Sequence, residues 1–119
     1  MGAEGERVLA MTMNLTAQFL NDLHNIPSGD FVKKYIYKDQ PTKLEVVTYL
    51  KGSNLLESLV DLDQEWLEGP VYLVKKANQW LVFEWFRGLP IHETTFSILE
   101  DAVLEKVGRI LDSIWHAQR

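Results

Sequence analysis

The sequence predicts an α+β domain in which one antiparallel sheet is crossed by a long C-terminal helix. Residues 71–86 read VYLVKK, a short ANQ turn and WLVFEWF, two runs of strand-forming residues around a hairpin. Between Phe96 and Trp115 apolar residues recur at helical spacing. Upstream, shorter periodic segments are separated by Pro27-Ser28-Gly29, Gly52-Ser53-Asn54 and Gly69-Pro70, the punctuation of a chain that changes direction often. The predicted order is α-β-β-α-β-β-α, a single domain over residues 14–119.

Residues 1–13 carry glycines and charges with little periodicity and read as a flexible lead-in or an expression remnant. From Asn14 the pattern is helical: Leu15, Phe19, Leu23 and Ile26 share a stripe that Leu20 widens, and Pro27-Ser28-Gly29 ends it. Phe31 to Tyr37 and Lys43 to Leu50 read as two strands around the KDQPT turn, with Leu44, Val46, Thr48 and Leu50 on one face of the second. Asn54, three residues before Glu57, approximates a capping box for a helix from Leu55 to Glu68 with Leu55, Leu59, Leu62 and Trp66 as its apolar row. The second hairpin follows, Val71 to Lys76 and Trp80 to Phe86. Alternation puts Trp80, Val82, Glu84 and Phe86 on one face of its second strand and Leu81, Phe83 and Trp85 on the other, so both faces are apolar. A Leu89-Pro90 break leads to a last helix beginning at Thr94 or Thr95. Phe96, Leu99, Val103, Val107, Ile110 and Ile114 form its first stripe, and Leu104, Gly108, Leu111 and Trp115 a second one beside it.

Composition narrows the function classes. With 119 residues, 46% hydrophobic and 24% charged, the chain is long enough for one core. It has no cysteine, hence no disulfide, thiolate chemistry or cysteine-bound metal, and no apolar run of membrane-spanning length. A cytoplasmic protein without a membrane partner is expected. A net charge of -5 argues against nucleic acid, which needs a clustered basic surface.

Candidate chemistry is sparse. Asp61-Leu62-Asp63-Gln64-Glu65 alternates oxygen ligands like a calcium loop, but Trp66 stands where glycine is required and Tyr72 where glutamate is. His24, His92 and His116 are not spaced as a metal pair on one helix, and His92-Glu93 are neighbours whose side chains diverge in extended chain. No phosphate-cradling glycine loop or nucleophile elbow is present, so no catalytic residue, metal or cofactor is expected. Glu84, between Phe83 and Trp85, needs solvent or a cation, with Lys75, Lys76 and Arg87 the nearest in sequence. These residues point to protein binding. Tyr49, Tyr72, Trp80, Trp85 and Glu84 are the expected partner-binding set, and Leu104, Gly108, Leu111 and Trp115 the expected homodimer seam, glycine there permitting close approach. The alternative is a small-molecule sensor or enzyme with an aromatic pocket between sheet and helix.

The hairpin, the Leu-Pro loop, the threonine cap and the helix FSILEDAVLEKVGRILDSIW together resemble the closing half of class I type III secretion chaperones and YbjN-type domains. The resemblance covers residues 71–115, and the upstream segments only in element order. It implies a small acidic α+β protein that dimerises and, by analogy with the secretion chaperones, binds extended protein segments in hydrophobic grooves.

Overall fold

The computed structural model describes residues 2–62 and 66–117, with side chains from residue 14 onward. Its elements are α1 (Gly2–Asn25), α2 (Ser28–Tyr35), α3 (Lys43–Gly52), a 3₁₀ turn at Leu56–Leu59, β1 (Val71–Lys76), β2 (Gln79–Phe86), β3 (Leu89–Phe96) and α4 (Leu99–Ala117). The fold is α+β, with one three-stranded antiparallel sheet in the order β1-β2-β3 among the described residues and a long C-terminal helix. The order is thus three helices, then three strands, then a helix.

The two strands expected at 31–37 and 43–50 are helices. Phe31 and Tyr35 are four residues apart, one helical turn, and both are buried on the same face of α2. They close an aromatic cluster with Phe19 of α1, with ring centroids 4.8–5.3 Å apart. At α3 a capping box decides the matter: the Glu45 amide donates to Thr42 Oγ1 at 3.1 Å and the Thr42 amide to Glu45 Oε1 at 3.1 Å. Val46, Val47 and Leu50 then face the core, whereas Leu44 and Thr48, expected inside, are exposed. Val46 and Val47 favour strands, but two satisfied amides and an intact buried face outweigh that propensity.

Asn54 was expected to start a helix and instead ends one. It takes a left-handed φ of 57°, with its amide bonded to Lys51 O at 3.1 Å and the Leu55 amide to Leu50 O at 2.8 Å. This is the two-bond Schellman closure of α3, with asparagine in the position that glycine most often fills. The expected helix from Leu55 to Glu68 is therefore reduced to the turn at Leu56–Leu59; its residues 63–65 lie outside the described residues. Helix α1 starts at Gly2 rather than near Asn14, so its backbone runs through the expected lead-in.

The first hairpin matches expectation, Val71 pairing with Glu84 through to Lys76 with Gln79. The Leu89-Pro90 break is a second hairpin. Arg87 (φ 50°) and Gly88 (φ 78°) make a two-residue turn with both φ positive, and Phe86 pairs with Leu89. Thr94, Thr95 and Phe96 consequently belong to β3 and not to the helix. A bulge sets His92 and Glu93 against Phe83, with His92 at φ 53°.

Helix α4 lies between the sheet and the N-terminal helices, touching β1 and β2 on one side and α2 and α3 on the other. That placement explains its breadth. Val103, Val107, Ile110 and Ile114 are buried, and Leu104 and Leu111 pack half-buried against the same core. A carbon added at Gly108 would sit 3.3 Å from Lys43 Cδ, so the neighbour for which glycine makes room is the start of α3 in the same chain.

Candidate functional site

The two sheet faces are both covered, unequally. Val71, Leu73, Val82 and, half-buried, Trp80 and Phe96 join the main core beneath α4. On the opposite face Tyr72, Leu81 and Phe83 form a second cluster with Val74, Trp85 and Trp66. Trp66 covers it, its ring edge-on to Tyr72 at 4.7 Å and to Phe83 at 5.4 Å. The Tyr72 hydroxyl accepts from the Leu67 amide at 2.9 Å and donates to Leu67 O at 3.1 Å.

The expected partner-binding set is therefore not brought together. Tyr49 sits half-buried on α3 rather than on a strand beside the tryptophans, and Tyr72 is only 3% exposed. Trp80 and Trp85 belong to opposite faces and are each half-buried. Glu84 finds partners the sequence did not suggest: His92 Nδ1 at 3.0 Å and Arg109 of α4 at 3.5 Å, instead of Lys75, Lys76 or Arg87. Arg109 also donates to Glu105 at 2.6 Å and to Thr94 Oγ1 at 3.0 Å, riveting β2 and β3 to α4. Of the expected dimer seam, Trp115 is the residue that stays largely exposed.

Two other surfaces emerge. The first is the tip of the β2–β3 hairpin. Phe86 is 47% exposed and Leu89 66% exposed, paired across the strands, with Trp85 opposite Pro90 one step back. The Arg87 guanidinium lies 5.1 Å from the Phe86 ring centroid, and its amide donates to Glu68 Oε1 at 2.8 Å. The tip thus exposes apolar side chains on both faces of the ribbon, Phe86 and Leu89 on one and Trp85 and Pro90 on the other, and its turn is tied to Glu68. Alternation in the sequence reaches Trp85 but not Leu89, because Leu89-Pro90 reads as a break.

The second is a groove of about 490 Å³ between the α1–α2 junction, α4 and the segments flanking β1. Its walls include Leu23, Ile26, Phe31 and Val71, and Ile110 and Lys106 line it from α4. Lys106 lies on the buried stripe of α4, and its ammonium donates to Leu59 O at 2.8 Å and Asp61 Oδ2 at 2.9 Å. The same carboxylate oxygen accepts the Leu73 amide at 2.8 Å, while the Asp61 amide donates to Leu73 O at 2.7 Å. Asp61 therefore satisfies both backbone groups of Leu73 on the β1 edge, one with its amide and one with its carboxylate. The lysine interrupting an apolar stripe was the sequence signal for this site.

A third polar cluster is structural. Asp22 on α1 accepts from the Tyr35 hydroxyl at 2.6 Å, Gln18 at 3.0 Å and Lys34 at 3.0 Å. The tyrosine hydroxyl above all, with Lys34 and Gln18, holds the carboxyl below its ordinary 3.8 against the opposing effect of burial. Burial first, and then Asp22, pushes the Tyr35 hydroxyl well above its ordinary 10.0.

Among the described residues no group of three or more histidine and carboxylate side chains is placed to hold a metal, and no helix is long and apolar enough to cross a membrane. No protein-family model matches the chain, and no curated protein or solved structure is detectably similar to it.

Proposed function

We propose that this chain is a non-enzymatic, protein-binding module of the adaptor or chaperone kind, and that it engages its partner with the tip of the β2–β3 hairpin. The observation that carries the reading is the pairing of Phe86 with Leu89, both largely exposed on one face of a turn braced by Glu68, with Trp85 and Pro90 on the other face. A tip whose backbone is already paired and bonded to Glu68 loses little backbone freedom on association, so more of its burial counts toward affinity. Each large side chain buried there contributes about 1.5–3 kcal/mol. Arg87 and Glu68 at its edge favour a partner whose apolar patch has a charged rim. Of the features that carry the resemblance to secretion chaperones, the β1–β2 hairpin and the long last helix remain, and they favour the same habit and pairing of two copies, for which the exposed end of α4 around Trp115 is the surface.

The test is a pull-down with purified protein against a Phe86→Asp, Leu89→Asp double variant and a Tyr37→Asp control, Tyr37 being 94% exposed and remote from the hairpin in sequence. A protein retained by the parent and by the control, and lost with the double variant, supports the proposal. Retention by all three, with unchanged circular dichroism, refutes it. In a measured complex, Leu89→Ala should lose about 2 kcal/mol of affinity, the range of an interface hot spot.

A further inference from the structure

The groove beside Lys106 has a polar floor whose hydrogen-bonding capacity the described residues use only in part. An ammonium has three donors, and Lys106 directs one to Leu59 O and one to Asp61 Oδ2. Asp61 concentrates its bonds on Oδ2, which serves both Lys106 and the Leu73 amide; among the described residues Oδ1 accepts none. Both side chains line the groove, Lys106 at 9% exposure and Asp61 at 24%. Among the described residues the pair therefore leaves one ammonium proton and one carboxylate oxygen unused, in a groove also lined by the apolar Leu23, Ile26, Phe31, Val71 and Ile110.

Charge decides what fits. The pair is neutral as a whole, so an anionic head that approached Lys106 would also meet the Asp61 carboxylate, and a cationic head would meet the ammonium. Either would shed its hydration without a net opposite charge to replace it. A neutral head that accepts from Lys106 and donates to Asp61 satisfies both groups at once. The volume, about 490 Å³, lies within the range of small-ligand sites.

We propose that this groove binds a small neutral amphiphile whose polar head carries an acceptor and a donor side by side, a primary carboxamide being the fullest match. The proposal rests on Lys106 and Asp61 and not on Phe86 or Leu89, so either reading can fail alone.

The test uses the full chain and three probes with a common pentyl tail: hexanamide, hexanoate and pentylamine, titrated by calorimetry near neutral pH. Hexanamide should bind about tenfold more tightly than the other two, the effect of hydrogen bonds to charged partners. Ser113→Trp, at an exposed groove-lining position of α4, should abolish binding with helical content unchanged. Lys106→Met should remove the preference for the amide. Equal binding of the three probes, no binding of hexanamide at millimolar concentration, or amide binding that survives Ser113→Trp would each overturn the proposal. Because Ser113→Trp leaves the buried pair in place, the test stands even if Lys106→Met fails to fold.

Discussion

Asp22 and Asp61 anchor two buried polar networks that are mirror images in exposure. At Asp22 the carboxylate is the hidden member, its side chain 6% exposed, and its cation Lys34 lies at the rim, 34% exposed. At Asp61 the cation is hidden, Lys106 at 9%, and the carboxylate is partly wet at 24%. The first network closes within the helical layer and joins α1 to α2. The second faces a groove and ties an irregular segment to β1 and α4. The same ion-pair chemistry therefore consolidates a core in one place and leaves a recognition surface in the other. The difference also determines which deletion hurts, because the cost of breaking a pair falls on whichever member stays buried.

The largest effect is expected at Asp61. Asp61→Ala leaves the Lys106 ammonium buried with only Leu59 O, and leaves the Leu73 amide without its side-chain acceptor. Urea unfolding should show a loss of about 3–5 kcal/mol, the range for an orphaned buried charge. Lys106→Met should cost less, since the remaining carboxylate is already partly hydrated. If the two losses come out reversed, the mirror-image account of the networks is wrong.

Tyr35→Phe comes next. It removes the hydroxyl bonded to Asp22 at 2.6 Å and should cost about 1–3 kcal/mol, the penalty for a buried acceptor that loses a donor. It also carries a pH signature. Asp22 has a folded pKa below 3.8, so its contribution is complete above that pH and is lost as pH falls through the folded value. Tyr35 has a folded pKa above 10.0, so its contribution is complete below pH 10 and is lost as pH rises beyond it. The variant removes the tyrosine titration and the main cause of the Asp22 shift. Its stability should therefore fall less steeply than the parent's at both extremes, measured by unfolding at pH 3, 7 and 10.5 as rough sampling points. An unchanged acid limb would assign the Asp22 shift to Lys34 instead.

Lys106 stood out in the apolar stripe of α4, but the partners in neither network were legible in the sequence, and the reason is physical. The sheet hairpin and the long helix announced themselves because burial on both sides leaves a dense apolar pattern. Where the pattern was short, local bonds decided: Thr42 and Glu45 spelled a capping box that strand-like Val46 and Val47 obscured, and Asn54 closed α3 where its side chain suggested a cap. Arg87 with positive φ is an uncommon first residue for a tight hairpin turn, which hid β3 and with it Leu89. For the polar sites the pairing is long-range. Lys106 meets Asp61 across 45 residues and Arg109 meets Glu84 across 25, and only the completed fold brings them together. Breadth in the apolar pattern of α4 was visible; that α3 and the sheet share it was not.

The smallest effect should come from the rim of the first network. Lys34→Ala removes a cation 3.0 Å from Asp22, but that cation is one-third exposed and the carboxylate keeps Tyr35 and Gln18. A pair of this kind contributes about 0.2–1 kcal/mol. The loss should shrink in roughly 1 M salt, where the screening length is near 3 Å and the pair can no longer draw on the wider field of the protein. Tyr35→Phe should keep its full cost at the same salt, because a neutral hydroxyl is its donor. A Lys34→Ala loss as large as that of Tyr35→Phe, and equally indifferent to salt, would mean that the ion pair and not the hydroxyl secures Asp22. In that case the two networks would differ in exposure but not in how they work.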